Sequence, residues 1–256
     1  MPETPSPLIT LTTDFGNGSH YVAQMKAVLL DAIPEVRIVD VTHAIGPQKL
    51  IEAAVVLADT LKWFPSNSIH IAVIDPGVGT ERPVLLAKSA CGYVIGPDNG
   101  IFSLLELSHS VVLDRPESWA GQPSQTFHGR DIMAPVAAAL AQDPQRNLVR
   151  FGTPSSTRHH LNLRQPVQRD GSWFGQVLFA DSFGNLITNL SDDEAVDGTI
   201  EVAGEKIPKV GCYGQANPGD MIALIGSSGR LEIAIVNGSA AAHLGQDPAV
   251  MVRYGP

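Results

Sequence analysis

The sequence has few cysteines, few basic residues and no long apolar run. Its two cysteines, Cys91 and Cys212, are too few for a disulfide framework or a four-cysteine zinc site. We expect both thiols to be reduced and buried, with a single bridge between them as the alternative. Lys and Arg number 17 against 26 Asp and Glu, so the basic surface of a nucleic-acid-binding protein is absent. No stretch approaches the roughly 20 apolar residues of a membrane span. The first residues lack the basic start and apolar run of a signal peptide, which predicts a cytoplasmic protein that binds neither nucleic acid nor membrane.

Two patterns of predicted elements divide the chain. Over residues 1–160, strand-like and helix-like segments alternate, which predicts an α/β domain with a mostly parallel sheet flanked by helices. One helix is predicted between the first strand and Pro34. Three more are predicted over residues 50–61, 101–107 and 132–142. Residues 161–256 contain short strands, Gly-rich turns and no convincing helix, which predicts a smaller all-β, barrel-like domain. A polar stretch over 151–170 is a candidate linker.

Four side chains in the first half have the chemistry of a ligand site. Asp14 and Asp75 each end a predicted strand, at the sheet edge where α/β proteins bind ligands, although Asp also serves as a helix cap or turn residue. Arg82 follows Asp75 across a Gly-rich loop that can fold back to form an ion pair, or it is a solvated loop arginine. His128 precedes a predicted helix whose free N–H groups can bind an anion, or it is a loop histidine. His70 lies mid-strand and is interpreted as structural.

The second half contains weaker signals. The segment 181–185 (DSFGN) combines an aromatic ring and an amide in a Gly turn, which can hold a heterocycle or can be a hairpin turn only. The segment 226–234 and Asn237-Gly238 are typical of hairpin turns. A metal site would gather Asp14, His43, Asp75 and His128, but no short metal-ligand spacing supports it. These residues predict a ligand-binding protein without naming its substrate.

Seven short motifs together resemble the SAM hydroxide adenosyltransferase family, whose relatives include the fluorinase and the chlorinase. The motifs cover nearly the whole chain in family order: TTDFG (12–16), VTHAIGPQ (41–48), IDPGVGTERP (74–83), GPDNG (96–100), TFHGRDIMAPVAA (126–138), DSFGNLITN (181–189) and SSGRLEIA (227–234). The resemblance implies an N-terminal α/β domain and a C-terminal β-barrel. It also implies a homotrimer in which one subunit's N-terminal domain and a neighbour's C-terminal domain form each active site.

The resemblance also implies residue roles. The catalytic set falls on Asp75, Arg82 and His128. The substrate-binding set falls on Asp14, Phe127, Gly129, Asp181, Asn185, Ser227, Glu232 and Asn237. Halogenating relatives carry tyrosines where Asp75 and His128 stand, and the fluorinase has a serine in place of Gly129. Many relatives have an acidic residue where this chain has Ser19, in the loop expected near the amino-acid end of the substrate.

The implied reaction is hydrolysis of S-adenosyl-L-methionine to adenosine and L-methionine, with water attacking the ribose C5′ carbon. S-adenosyl-L-methionine is then the substrate, and no cofactor or metal is required. Three other functions stay open from the sequence: a halide-using S-adenosylmethionine enzyme, a non-catalytic protein that binds adenosine or S-adenosylmethionine, and a metal-dependent hydrolase.

Overall fold

The computed structural model describes residues 7–192, 199–245 and 251–255. The chain forms two compact units, Met1–Leu161 and Asn162–Pro256. Each unit has its own sheet and its own buried apolar core. In these described ranges, no helix combines the length and the apolar character needed to cross a membrane.

The first unit is a seven-stranded sheet with helices packed on it. Its strands are β1 (Leu8–Thr13), β2 (Arg37–Thr42), β3 (Ile69–Val73), β4 (Val84–Ser89), β5 (Gly92–Pro97), β6 (Leu107–Val112) and β7 (Thr153–Pro154). Its α-helices are α1 (His20–Ala32), α2 (Leu50–Leu61) and α3 (Ala134–Gln142). The predicted α/β fold class is confirmed.

The sheet is parallel in one half and antiparallel in the other. Its strand order is β2-β1-β3-β5-β4-β6-β7. Neighbours from β2 to β5 run parallel, and those from β5 to β7 run antiparallel. Thr13 at the end of β1 lies opposite Val73 at the end of β3. The residues that follow these two strands, including Asp14 and Asp75, therefore leave the sheet at the same edge.

Buried side chains on β3 alternate between the two faces of the sheet. Ile71 and Val73 belong to one core with residues of α1 and α3, whereas Ala72 belongs to another with residues of α2. A strand covered by helices on both faces is apolar nearly throughout. All five residues of β3 are buried, and His70 is the one polar residue among them. His70 bonds Thr10 Oγ1 at 2.8 Å and Cys91 O at 3.1 Å, so it is a satisfied structural histidine.

Residues 101–104 form consecutive turns and 105 lies in a bend, so the helix predicted over 101–107 is wrong. The backbone bonds run from Ser103 N to Gly100 O and from Leu105 N to Phe102 O. These bonds span three residues, so the four-residue ladder of an α-helix does not form. Phe102 and Leu105 are nevertheless buried, which explains why their spacing resembled a helical face.

Helix α3 is preceded by a π-helical turn over Gly129–Met133 that the sequence analysis did not predict. Ala134 N bonds Gly129 O across five residues. Pro135 has no N–H, so the widened turn comes where an interior helical bond would in any case be missing. The rest of the predicted helix is confirmed up to Gln142.

The second unit is built from antiparallel strands. They are β8 (Val167–Arg169), β9 (Ser172–Ala180), β10 (Leu186–Ser191), β11 (Thr199–Val202), β12 (Glu205–Ile207), β13 (Met221–Ile225), β14 (Arg230–Ile235) and β15 (Met251–Gly255). Their order is β12-β11-β15-β9-β10-β14-β13, with β8 on β9. At the two ends of this order, Pro208 O and Val210 N bond the backbone of Ala223. The second unit is therefore all-β, in an arrangement compatible with the predicted barrel.

Two details of the second unit differ from the prediction. A short helix, α4 (Ala240–Leu244), follows β14, and the Ser239 hydroxyl caps it by accepting from Ala242 N at 3.1 Å. Cys212 is exposed and Cys91 is half-buried, and both are free. The expected burial of both thiols is therefore wrong, because Cys212 lies in a loop before a 3₁₀ turn and not in a strand.

Candidate active site

Asp75 and Arg82 form a two-point ion pair at the carboxyl edge of the first sheet. Arg82 Nε donates to Asp75 Oδ1 at 2.7 Å, and Arg82 Nη2 donates to Asp75 Oδ2. The two side chains are only 5% (Asp75) and 10% (Arg82) exposed. Such paired, charge-assisted bonds are short and directional. The predicted fold-back of the loop is therefore observed, and the alternative of a solvated loop arginine is excluded.

The loop between Asp75 and Arg82 is held by its own turns. Val78 N bonds Asp75 O at 3.2 Å, and Thr80 Oγ1 bonds Gly77 O at 2.7 Å. Gly79 has a φ of +79°, and a β-carbon there would lie 2.2 Å from Gln125 O. Only glycine allows this backbone conformation and this approach together. The loop thus packs directly on the segment that leads to His128.

His128 completes a hydrogen-bonded chain of three side chains. Arg82 Nη2 lies 3.0 Å from His128 Nδ1. A guanidinium can only donate, so Nδ1 must accept and the neutral ring must carry its proton on Nε2. The Arg82 guanidinium therefore links the Asp75 carboxylate to the His128 imidazole and fixes the tautomer of the ring.

The environment of His128 favours the neutral ring. Its pKa is lowered, first by burial and then by the positive charge of Arg82, while Asp75 and Asp131 oppose the shift. A lowered pKa means that the ring is neutral at pH 7, because the ordinary histidine value is 6.5. The imidazole can therefore present a neutral Nε2–H donor to a ligand.

A cavity of about 190 Å³ brings together most of the predicted residues of the first unit. Asp14, Asp75, Phe127, His128 and Gly129 all line this cavity. Arg82 is not among the lining residues, so Asp75 lies between the cavity and the Arg82 guanidinium. The predicted residues at the sheet edge thus share one site, although the sequence separates them widely.

Asp14 is fixed by the loop that precedes α2. Its Oδ2 accepts from Gln48 N at 2.9 Å, which leaves Oδ1 available to a ligand. Gln48 has a φ of +62°, a left-handed conformation that is uncommon for residues other than glycine. Gln48 also lines the cavity. The sequence analysis did not single it out, because a glutamine in a loop carries no chemical signal by itself.

Three aromatic side chains pack together at one side of this cavity. The ring centroids of Phe15 and Phe127 are 5.8 Å apart, and those of Tyr21 and Phe127 are 5.2 Å apart. Ser19 accepts from Tyr21 N at 3.3 Å and caps α1. The hydroxyl of Ser19 is therefore engaged in holding the start of the helix that carries Tyr21.

The predicted polar residues of the second unit form a separate network. Asp181 Oδ1 accepts from Asn185 N at 2.8 Å, and Asn185 Nδ2 donates to Asp181 Oδ2 at 3.1 Å. Asn185 Nδ2 also lies 3.3 Å from Tyr213 Oη, which donates to Glu232 Oε2 at 2.8 Å. The pKa of Glu232 is raised, first by burial and then by the nearby Asp181, against the bond from Tyr213. Tyr213 links the network, and the sequence analysis missed it.

This network borders a cavity of about 400 Å³ within the second unit. Phe183, Asn185, Tyr213 and Asn237 line it. Phe183 is 78% exposed, which leaves its ring face free for a flat ligand. The DSFGN segment is a hairpin turn, since Asp181 N bonds Asn185 O at 2.9 Å. Two of its residues also line this cavity, so its binding of a heterocycle stays a prediction.

Ser227 and Glu232 do not line this cavity. Ser227 is exposed in the turn between β13 and β14. Next to it, a β-carbon on Gly226 would lie 1.7 Å from Glu232 Oε1. The turn therefore passes directly over the Glu232 carboxylate, which keeps Ser227 close to the network.

The alternative metal site gains no support from the geometry. Across the parts of the chain that the structure describes, no three His, Cys, Asp or Glu side chains are grouped as metal ligands. His43, one of the four residues considered, instead bonds Thr13 Oγ1 at 2.9 Å and lies 3.2 Å from Asp40 Oδ1.

A carboxylate, a guanidinium and an imidazole joined at the carboxyl edge of an α/β sheet define the site of a small-molecule enzyme. Models of the two domains of one family match the chain. The SAM hydroxide adenosyltransferase N-terminal domain matches residues 9–149, and the corresponding C-terminal domain matches residues 175–253. The chain belongs to the SAM hydroxide adenosyltransferase family.

Individual relatives agree with this assignment. The chain is 38% identical to the (R)-S-adenosyl-L-methionine hydrolase of Thermus thermophilus, over 94% of this chain and 96% of that protein. It is 34% identical to the hydrolase of the same name from Salinispora tropica, over 97% and 98%. A fluorinase from an Actinoplanes species is more distant, at 26% identity over 91% and 92%. A crystal structure of a conserved Thermotoga maritima protein superposes with a TM-score of 0.89 at 31% identity, covering 97% and 100% of the two chains.

The close packing of Gly79 gives a first prediction. We expect Gly79→Ala to lower the free energy of unfolding by more than Gly121→Ala. Both positions have a positive φ, but a β-carbon at Gly121 meets nothing within 4 Å, so that variant carries the backbone strain alone. Strain of this kind costs on the order of 1 kcal/mol. Chemical denaturation of both variants measures the difference, and equal losses would contradict the packing role of Gly79.

Proposed function

We propose that this protein hydrolyses S-adenosyl-L-methionine to adenosine and L-methionine, with S-adenosyl-L-methionine as substrate and no cofactor. The observation that carries the proposal is the Asp75–Arg82–His128 chain, whose two end groups line one cavity. Family membership supplies the substrate class. The tyrosines that halogenating relatives carry at positions 75 and 128 are absent, which favours water over halide.

The reaction is an in-line displacement at the ribose C5′ carbon. The oxygen of water forms a bond to C5′ while the bond from C5′ to sulfur breaks, and its electron pair stays on sulfur. The sulfonium becomes a neutral thioether, so the leaving group needs no proton. The attacking water loses one proton, which finally passes to solvent. The difficult part of the reaction therefore lies on the side of the nucleophile.

The site has to activate water without holding free hydroxide. The pKa of bulk water lies far above that of a carboxylate or an imidazole. Positioning must then supply most of the rate, since correct orientation of reactants is worth about 7–11 kcal/mol. General-base assistance adds roughly 10²–10⁴-fold.

Each of the three residues has a role in activating the water that follows from its hydrogen bonds. His128 presents Nε2–H to the water oxygen and orients it, because Nδ1 is already bonded to Arg82. The Asp75 carboxylate accepts a hydrogen bond from the same water and takes partial charge of its proton, as a general base, during the attack. Arg82 orients both groups. Its positive charge is balanced by Asp75, which limits its repulsion of the cationic substrate.

The remaining residues bind the substrate in this proposal. Asp14 Oδ1 accepts from a ribose hydroxyl, while Phe127 and Gly129 shape the cavity around the sugar. Residues of the second unit address the base and the methionine part; they are Asp181, Asn185, Ser227, Glu232 and Asn237. We also propose that residues 1–160 and 161–256 are the two domains and that the protein is located in the cytoplasm.

Configuration at sulfur is a further part of the proposal. The relatives from Thermus thermophilus and Salinispora tropica are named for the (R) form of the substrate. We extend that preference to this protein. Separate assays with the two sulfonium epimers test it, and faster cleavage of the (S) epimer would refute this part alone.

The decisive experiment uses ¹⁸O-labelled water. Purified protein should convert S-adenosylmethionine to adenosine that carries the label in its 5′-hydroxyl group. Asp75→Asn should lower turnover about 10²-fold or more with little change in substrate binding. Asp114→Asn is the matched control, because it removes a carboxylate from an exposed ion pair with Arg115 and should retain full turnover.

Other outcomes identify the competing functions. Chlorinated adenosine formed in the presence of chloride would indicate a halide-using enzyme. Intact S-adenosylmethionine after long incubation, with bound adenosine, would indicate a binding protein. Loss of activity on strong chelation would indicate a metal-dependent hydrolase. Full activity of Asp75→Asn would refute the role given to this carboxylate.

The rate should depend on pH through His128. Nδ1 can accept from Arg82 only in the neutral ring, so protonation disrupts the chain. Since the pKa of His128 lies below 6.5, turnover should stay constant above neutrality and fall as the pH drops through a midpoint lower than 6.5. Arg82→Gln removes one cause of the shift and should raise the midpoint. A rate–pH profile of both proteins measures this, and a wild-type midpoint above 7 would contradict it.

We further propose that the protein is a homotrimer with active sites shared between neighbouring subunits. Sedimentation should then give three times the chain mass of 27.2 kDa. Mixed oligomers of inactive Asp75→Asn and inactive Asn185→Ala chains should regain part of the activity, because some sites combine two intact halves. No recovery in verified mixed oligomers would refute shared sites.

A further inference from the structure

The first unit contains a second cavity, much larger than the site described above. Its volume is about 1030 Å³, and it lies along β6 and the segment 146–160. Two arginines and two histidines line it, together with five hydroxyl side chains. The charged and titratable lining residues are Arg146, Arg158, His109 and His160. We call this region the β6 groove.

The β6 groove lies at the opposite edge of the sheet from Asp75. Arg146 Nη1 donates to Asn67 O at 2.7 Å, immediately before β3 begins, whereas Asp75 follows the end of that strand. On β6, His109 is opposite Lys88, which in turn is opposite Tyr93 at the start of β5. A ligand in this groove would therefore not occupy the reaction cavity.

The charge of the groove is unusual for this protein. The chain has a net charge of −9, yet neither Asp nor Glu occurs among the lining residues of the groove. Arg146 donates to a backbone carbonyl, and Arg158 donates to His160 Nε2 at 3.1 Å and to Leu105 O at 3.4 Å. Neither arginine forms an ion pair among the described residues.

Other arginines of the first unit show the contrast. Four of them are paired with aspartates: Arg82 with Asp75, Arg115 with Asp114, Arg130 with Asp131 and Arg150 with Asp143. Two uncompensated guanidinium groups that share one cavity repel each other and attract an anion. Their unused N–H groups are suited to the oxygens of a phosphate.

The position of Arg146 is specified by its surroundings. Its φ is +47°, a strained conformation for a residue with a side chain. The Asp143 carboxylate accepts from Gln145 N and Asn147 N at 3.0 and 3.2 Å, which holds the turn. The guanidinium carbon lies 5.1 Å from the centroid of the Tyr93 ring. Neighbouring groups thus fix a cation that has no counterion.

We propose that the β6 groove is a second ligand site that binds a small molecule carrying a polyphosphate group. A polyphosphate supplies several negative charges for the two arginines. Its oxygens can also accept from the hydroxyls of Ser156 and Thr157, whereas Ser108, Ser110 and Ser155 already donate to backbone carbonyls. The apolar side chains of Leu148 and Val149, of which Val149 is 54% exposed, provide contact area for the uncharged part of the molecule. The site is independent of the residues that carry out hydrolysis.

Inorganic tripolyphosphate is the direct probe, because it has no nucleoside part to enter the reaction cavity. Titration calorimetry on the full chain should detect binding that weakens as salt is added. Arg146→Gln and Arg158→Gln should each weaken binding about tenfold or more, as expected for the loss of charge-assisted bonds. Arg115→Gln is the matched control, since it removes the same charge outside the groove and should bind normally.

A second variant covers the case in which an arginine variant fails to fold. Ser156→Asp places a negative charge on an exposed groove residue and should abolish tripolyphosphate binding by repulsion. All four variants should cleave S-adenosylmethionine at the wild-type rate. Binding that survives in Ser156→Asp and in the arginine variants would overturn the proposal. Equal affinity for citrate would overturn the assignment to phosphate.

Discussion

The guanidinium of Arg82 is the interaction on which the site depends. It binds groups that lie 7 and 46 positions away in the sequence, and it satisfies both with directional bonds. Removing it would leave a nearly buried carboxylate without a counterion, which is costly. It would also free the imidazole to change tautomer. The same three bonds therefore fix the loop after β3, the start of the π-helical turn and the protonation state of the ring.

The sheet places this interaction where it is useful. Parallel pairing of β1 and β3 brings Asp14 and Asp75 to one edge, and covering both faces with helices leaves that edge as the accessible part of the strands. The antiparallel half of the sheet contributes residues to the opposite edge, where Lys88 on β4 pairs with His109 on β6. One sheet thus has the carboxylates of Asp14 and Asp75 at one edge, and the β6 groove with its two arginines lies near the other.

The sequence predicted the elements whose signals are local. Helix α2 has the predicted bounds, since it has a regular apolar pattern within a few neighbouring positions. The helix predicted over 101–107 failed because burial of Phe102 and Leu105 imitates helical spacing in a series of turns. The π-helical turn was not predictable, since it depends on where His128 must lie. Tyr213 and Gln48 were missed because their roles come from neighbours distant in the chain.

The sequence by itself determined the fold class, the family and the residue types available for chemistry, because periodicity, turn residues and short motifs are encoded within a few neighbouring positions. Tertiary structure alone decided that Arg82 pairs with Asp75, that His128 accepts from Arg82 and that the segment beginning at Asp181 closes as a turn. Those choices depend on hydrogen bonds between distant residues, whose geometry is set by strand register and by the close packing of Gly79 against Gln125. No local pattern specifies such contacts, since they exist only once the sheet has formed.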